Sequence, residues 1–211
     1  MEKGLKKAKR LKSIITLLAF VLTITFASIS VKAEKLTGYC GAEEGGKNIQ
    51  WTFENGVMTL TGEGEMMDGD ISWELPDEYW SLSDKDIVRD DIKEVIVGEG
   101  SSSLGDGAFY RCEQLTSASL PSSLTSIGVN AFAACSELKA IVIPQGVVSI
   151  GDSGFKWCSS LGEISIPASV KSIGEDAFCA CTNVSKIDIS QGVESIGIRA
   201  FGGCEKVEKV V

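Results

Sequence analysis

The phenylalanines at 109, 132, 155, 178 and 201 stand 23 residues apart, and so do the cysteines at 112, 135, 158, 181 and 204. A third column runs through Gly105, Gly128, Gly151, Gly174 and Gly197, each preceded by an apolar residue: Leu104, Ile127, Ile150, Ile173 and Ile196. No other feature constrains the fold as strongly. A unit of 23 residues cannot bury its own apolar face, so it must stack on copies of itself.

The other half of each unit has a different rhythm, as in "LKAIVIPQGV" (138–147) and "LGEISIPASV" (161–170). Leu138, Ile141 and Ile143, like Leu161, Ile164 and Ile166, place apolar residues at the first, fourth and sixth positions, and the last pair alternates as a half-buried strand does. Pro121, Pro144 and Pro167 follow in three units, stopping the strand and turning the chain. Each repeat is read as one short strand, one corner and one return. Stacked strands lie parallel, about 4.8 Å apart, and each column becomes a ladder through the core. The Phe column needs a deep seat, and the adjacent Ala108, Ala131, Ala177 and Ala200, with Gly154 in the third unit, leave room for it. The Gly after each Ile either takes a positive φ or lets the next coil approach closely.

The pattern L-x-x-I-x-I-P-x-x-V-x-x-I-G-x-x-A-F-x-x-C-x-x resembles the BspA-type (Treponema-type) leucine-rich repeat over residues 92–211. The preceding "CGAEEGGKNIQWTFENGVMTLTGEGEM" resembles the β-rich cap of that family, with Asn55-Gly56 between two alternating runs as in a hairpin turn. The fold class expected is therefore an α/β repeat solenoid preceded by a small β-rich cap. Its divisions are 1–33 signal, 34–91 cap and 92–211 repeats, five units plus a partial sixth. The resemblance implies secreted or surface-attached bacterial proteins, several of them adhesins for host matrix proteins or other cells. Departures occur at Ser190 and Gly98, which replace the corner Pro, and in the irregular "GEGSSSLGDG"; looser corners are expected there. The chain stops at "VEKVV", inside the strand of a new unit, leaving an apolar edge that belongs either to a longer protein or to a partner.

Residues 1–33 have the three parts of an export signal: Lys3, Lys6, Lys7, Lys9, Arg10 and Lys12, then the apolar "SIITLLAFVLTITFASIS", then "VKA" ending at Ala33. An uncleaved anchor is the alternative, at about the lower length limit for a spanning helix. A lipid anchor on Cys40 is disfavoured by the bulky Tyr39 before it and its distance from the apolar run. Beyond Ala33 the chain carries 13 basic and 28 acidic residues, a net −15, so nucleic acid is not expected as a partner. The chain has no histidine, which removes Ser-His-Asp and Cys-His pairs, His-ligated metal and an imidazole base.

The cysteine column reads as a ladder of buried thiols rather than disulfides, because stacked side chains point the same way. With no C-x-x-C spacing, zinc is not expected. Alternation turns Cys179 away from the ladder and makes it the most exposed thiol. The cap's Glu63, Glu65, Asp68, Asp70, Glu74, Asp77 and Glu78 lack the spacing of a calcium loop and any glycosidase motif, so they read as a solvated acidic surface. Trp51, Trp73, Tyr79 and Trp80 read as cap core rather than a sugar platform.

No catalytic, cofactor-binding or metal-binding residue emerges. The outward positions of the expected concave sheet are Glu94 and Ile96, Ser117 and Ser119, Ala140 and Val142, Glu163 and Ser165, Lys186 and Asp188. A small apolar centre with mixed charge at the rims suits a protein surface better than a phosphate or a charged small molecule. The function expected is a non-enzymatic, exported module that binds a host matrix or cell-surface protein, with fibronectin and fibrinogen as candidates by family analogy. The alternative is a structural spacer or envelope component.

Overall fold

Alternation in each repeat drives one strand face inward, and stacking turns those faces into a common core. In the computed structural model the described residues are 35–43, 47–68 and 89–211. The expected signal at 1–33 and Asp70, Trp73, Glu74, Asp77, Glu78, Tyr79 and Trp80 lie outside them. The cap supplies β1 (Leu36–Tyr39), β2 (Ile49–Glu54), β3 (Val57–Gly62) and β4 (Gly64–Glu65). The repeats supply β5 (Glu94–Val97) and β6 (Ser101–Leu104), β7 (Ser117–Ser119) and β8 (Ser126–Ile127), β9 (Ala140–Ile141) and β10 (Ser149–Ile150). They continue with β11 (Glu163–Ile166) and β12 (Ser172–Ile173), β13 (Lys186–Ile189) and β14 (Ser195–Ile196), and β15 (Lys209–Val210).

Two sheets run along the stack. The main one has the order β1-β2-β3-β5-β7-β9 and resumes as β11-β13-β15; the second has the order β14-β12-β10-β8-β6-β4. All repeat pairings are parallel. The expected strand is there in every unit, and each of five units carries a second strand after the corner, built on Ser-Ile in four of them. Between β9 and β11 the ladder thins, but Gly162 N–H still donates to Lys139 O at 3.1 Å.

The α/β expectation is corrected for the return segments. Among the described residues there is no α-helix, and the helical element present is a 3-10 turn at Arg89–Asp91. The backbone hydrogen bonds explain why. In the second unit the amides of Asn130, Phe132 and Ala134 donate to Asp152, Gly154 and Lys156 O of the next coil at 2.7–2.9 Å. The intervening amides of Ala131, Ala133 and Cys135 donate three residues back at 3.1–3.3 Å. Every other N–H is thus committed between coils, and an α-helix, which needs all of them within one segment, is excluded. Positive φ at Asn130 (54°) and Ala134 (61°) closes the tight turns, and the same two positions repeat in the other units.

Inside the stack, Phe109, Phe132, Phe155 and Phe178 are at most 1% exposed, and successive rings through Phe201 lie 5.0–5.4 Å apart. Burying each such side chain contributes about 2–3 kcal/mol. The column glycines serve close approach, the second of the two expectations: Gly128, Gly151, Gly174 and Gly197 have no positive φ, and a Cβ on Gly151 would stand 2.6 Å from Val129 N.

The corners without Pro are not loose. Ser190 N–H donates to Ile166 O at 3.0 Å and Gly98 N–H to Leu60 O at 2.9 Å, bonds that a Pro nitrogen cannot make. Glu99, in the irregular first corner, accepts from the Ser122 and Ser123 amides at 3.0 and 3.3 Å, and the Ser122 amide above all holds its carboxyl below the usual carboxylate range.

The cap continues the stack. β2 and β3 form the hairpin expected at Asn55-Gly56, whose φ values of 54° and 85° are those a two-residue hairpin loop needs. β3 then pairs parallel with β5, and β4, one residue further on, pairs parallel with β6. Trp51 is buried at 3% exposure in the cap core.

Candidate functional site

Alternation along the main sheet is fixed by which side chains are buried. Val95, Val97, Ile143, Ile164, Ile166 and Ile187 point inward with at most 5% exposure. Glu94, Ile96, Ser117, Ser119, Ala140, Val142, Glu163 and Ser165 between them are exposed, and Lys186 and Asp188 are half-buried. The structure thus sets all ten positions named from the sequence on the outward side.

Strand register sorts them into rows. One runs through Val57, Glu94, Ser117 and Ala140 and is taken up by Glu163, Lys186 and Lys209; a parallel row holds Thr59, Ile96 and Ser119, then Ser165 and Asp188. Lys186 Nζ lies 3.7 Å from Asp188 Oδ2, and register sets Glu163 beside Lys186, so the charges of this end compensate one another. In the middle, Val142 is 80% exposed and Ile96 37%. A bare aliphatic centre, hydroxyls and balanced charge make a surface that can lose water cheaply at its centre and stay polar at its edge.

The outward face extends onto the cap, which sequence reasoning missed. Thr37, Thr52 and Thr59 lie in register with Ile96, and Tyr39 pairs with Gln50 and then Thr61, with Tyr39 51% exposed. The signal was present in the cap's polar alternation, but its pairing partner lies more than thirty residues away in sequence.

The acidic cap residues divide. Glu63 and Glu65 are exposed, and their carbonyls accept from the Asn48 side-chain amide at 3.0 and 3.1 Å. Asp68 Oδ1 accepts from Asp106 N–H at 2.9 Å, a structural tie that recurs as Asp106 to Val129 N–H and Asp152 to Glu175 N–H. Among the described residues no group of three or more acidic or cysteine side chains is placed to hold a metal ion.

All seven cysteines are free thiols. Those in the column form a ladder of their own, in which Cys135, Cys158, Cys181 and Cys204 donate through sulfur to the carbonyls of Phe109, Phe132, Phe155 and Phe178 in the preceding coil, at 3.2–3.4 Å. Burial pushes the Cys158 thiol up to about 12 and raises Cys135 and Cys181 as well. Cys40 is fully buried, and its thiol is likewise pushed up to about 12. Cys179 is half-exposed beside the ladder.

On the return side, Asp176 is 6% exposed and is clamped by Lys156 Nζ at 2.8 Å and by Arg199 Nε and Nη2 at 2.7 and 3.0 Å. The Arg199 hydrogen bonds, then the Lys156 bond, hold its carboxyl well below the usual carboxylate range.

Residues 91–211 match, in six copies, the BspA type leucine rich repeat region. The chain belongs to the BspA-type leucine-rich repeat family. Solved structures agree on the fold. A leucine-rich repeat protein from Eubacterium ventriosum is 28% identical, with a TM-score of 0.64 over 84% of this BspA-type chain and 44% of that one. A leucine-rich repeat protein from T. pallidum is 22% identical, with a TM-score of 0.52 over 77% of this chain and 89% of that one. The BspA-type chain thus spans less than half the length of the Eubacterium protein. No curated protein matches it.

Proposed function

We propose that this chain is an exported, non-enzymatic protein-binding module of a bacterial surface, adhesin-like in use, whose partner docks on the outward face of the main sheet. The observation that carries the reading is Val142. It stands 80% exposed just past β9, where the main-sheet ladder thins, among outward groups that are mostly hydroxyls and compensated charges. A bare Val beside Ala140 forms the kind of desolvatable centre that a protein interface buries, with Ser119, Ser165, Glu163 and Lys186 as its rim. Membership of the BspA-type leucine-rich repeat family supports a surface role. Export rests on the signal-like residues 1–33. The charge balance of the face argues against a highly charged partner.

The test is biolayer interferometry of the purified protein against immobilised fibronectin, fibrinogen and a panel of matrix proteins. Saturable binding that falls by about tenfold or more in the Ala140→Arg, Val142→Arg variant is expected, since an interface centre lost to two buried cations costs well over about 1.4 kcal/mol. Equal binding by the variant sinks the assignment to this face. Silence from folded protein moves the reading to the structural spacer.

A further inference from the structure

Opposite in character to the sheet face is a column on the return side of the coils: Arg111, Ala134, Trp157, Ala180 and Gly203. All five take a left-handed backbone, with φ of 60°, 61°, 63°, 60° and 72°. A bulky side chain is an outlier in that conformation. Trp157 is one nonetheless, and it is 50% exposed. The fold does not require the indole there. Ala134 and Ala180, one coil to either side, hold the same φ and make the same bond, each donating its N–H to the next coil at 2.7 Å as Trp157 does at 2.8 Å. A strained, half-exposed aromatic where the neighbouring coils use Ala points to a role outside the fold.

The two alanines leave space beside the ring. A depression of about 400 Å³ is lined by Ala134, Trp157 and Ala180 and, on its polar side, by Ser136, Ser159, Thr182 and Glu113. Ser136 Oγ donates to Glu113 O and Ser159 Oγ to Ser136 O, both at 3.3 Å, so the hydroxyl hydrogens are spent and the oxygens remain as acceptors. The charges nearby are committed. Lys156 Nζ stands 4.7 Å from the Trp157 ring centroid while bonded to Asp176, and Arg199 is tied to Asp176 and Glu175. Arg111 lies 4.0 Å from Glu113.

We propose that this depression is a carbohydrate subsite, in which a neutral pyranose ring stacks on Trp157 over Ala134 and Ala180 and donates hydroxyl hydrogens to Ser136 Oγ, Ser159 Oγ and the Glu113 carboxylate. The ligand class follows from what the site offers. An aromatic plane takes the apolar C–H face of a sugar, and acceptors suit a ligand rich in donors. A phosphate or carboxylate only accepts, and apart from the Thr182 hydroxyl it meets acceptors here, among them the like-charged Glu113 carboxylate. Lys156 already holds one face of the ring, and its ammonium repels a second cation at the other face but not a neutral sugar. The subsite is independent of the sheet face and does not rest on the protein-binding reading.

The experiment is isothermal titration calorimetry of the full chain with chitotetraose, cellotetraose and mannotetraose, and with tetragalacturonate as the anionic comparison. At least one neutral oligosaccharide binds saturably, and Trp157→Ala weakens it about tenfold or more with an unchanged melting temperature, because Ala is native to this backbone in both adjacent coils. Ala180→Arg, which fills the depression and leaves the indole, also weakens it, whereas Ala140→Arg with Val142→Arg does not. Silence across the neutral panel from folded protein overturns the proposal, as does a Trp157→Ala variant that binds like the parent, or tighter binding of tetragalacturonate.

Discussion

Phe155 sits between Phe132 at 5.3 Å and Phe178 at 5.0 Å, its ring within 7° of parallel to both. Its carbonyl accepts from the Cys158 amide and from the Cys181 thiol of the next coil. Cysteine suits this column because it is small enough for a packed interior, hydrophobic, and still able to satisfy a second lone pair of a buried carbonyl. The shared column of Phe and Cys seen in the sequence is one device: the ring fills the coil and the thiol ties the ring's backbone to its neighbour. A pH dependence follows. An unfolded thiol ionises near its ordinary 9.0, whereas the Cys158 thiol keeps its proton to about 12. Above pH 9 the unfolded state therefore binds fewer protons than the fold, and stability present below that pH is lost progressively up to about 12. Urea unfolding across that window should show the midpoint falling with pH. The fall should be shallower in Cys158→Val, which has no proton to lose; an equal fall in both contradicts the assignment.

At the scale of the element, the repeat's return is a run of tight turns whose amides alternate between the coil's own carbonyls and the next coil's. The sequence carried that information in the small, turn-compatible residues Asn130, Ser153 and Asp176 at one left-handed position. These types vary enough that a column of identical residues never forms, and the α/β expectation arose there. The second strand hid for a different reason: Ser-Ile is two residues long, too short for alternation to show. The corners teach the opposite lesson, because a departure from the pattern reads as a defect and is an added bond. Ser190→Pro restores the repeat pattern yet deletes the Ser190 to Ile166 hydrogen bond. It should destabilise by about 1 kcal/mol, as for loss of a typical hydrogen bond, read as a lower urea midpoint at unchanged slope. Stabilisation instead would mean that the corner, and not the bond, governs that coil.

For the molecule as a whole, the cap acts as a coil in advance of the first repeat: β3 occupies the main sheet and β4 the second, so the face presented to solvent runs from Tyr39 through β9 and resumes at β11. The ten outward residues of the repeats were legible because buried neighbours on either side leave only one orientation for each. The cap's share, Thr37, Thr52 and Tyr39, was not, since a parallel pairing between distant segments has no local signature. Trp157 was missed because it stands in a column that the repeat leaves unspecified. The central claim is that the aliphatic centre, and not the charged end, carries binding. It is tested most directly by measuring partner affinity in parallel for Ala140→Arg, Val142→Arg and for the exchanged pair Glu163→Lys, Lys186→Glu, at low and physiological salt. The account predicts a loss of about tenfold or more in the first variant at both salts, and in the second a change of only a few-fold that physiological salt screens. Retained affinity in the first with collapse in the second would place binding on the charges and contradict it.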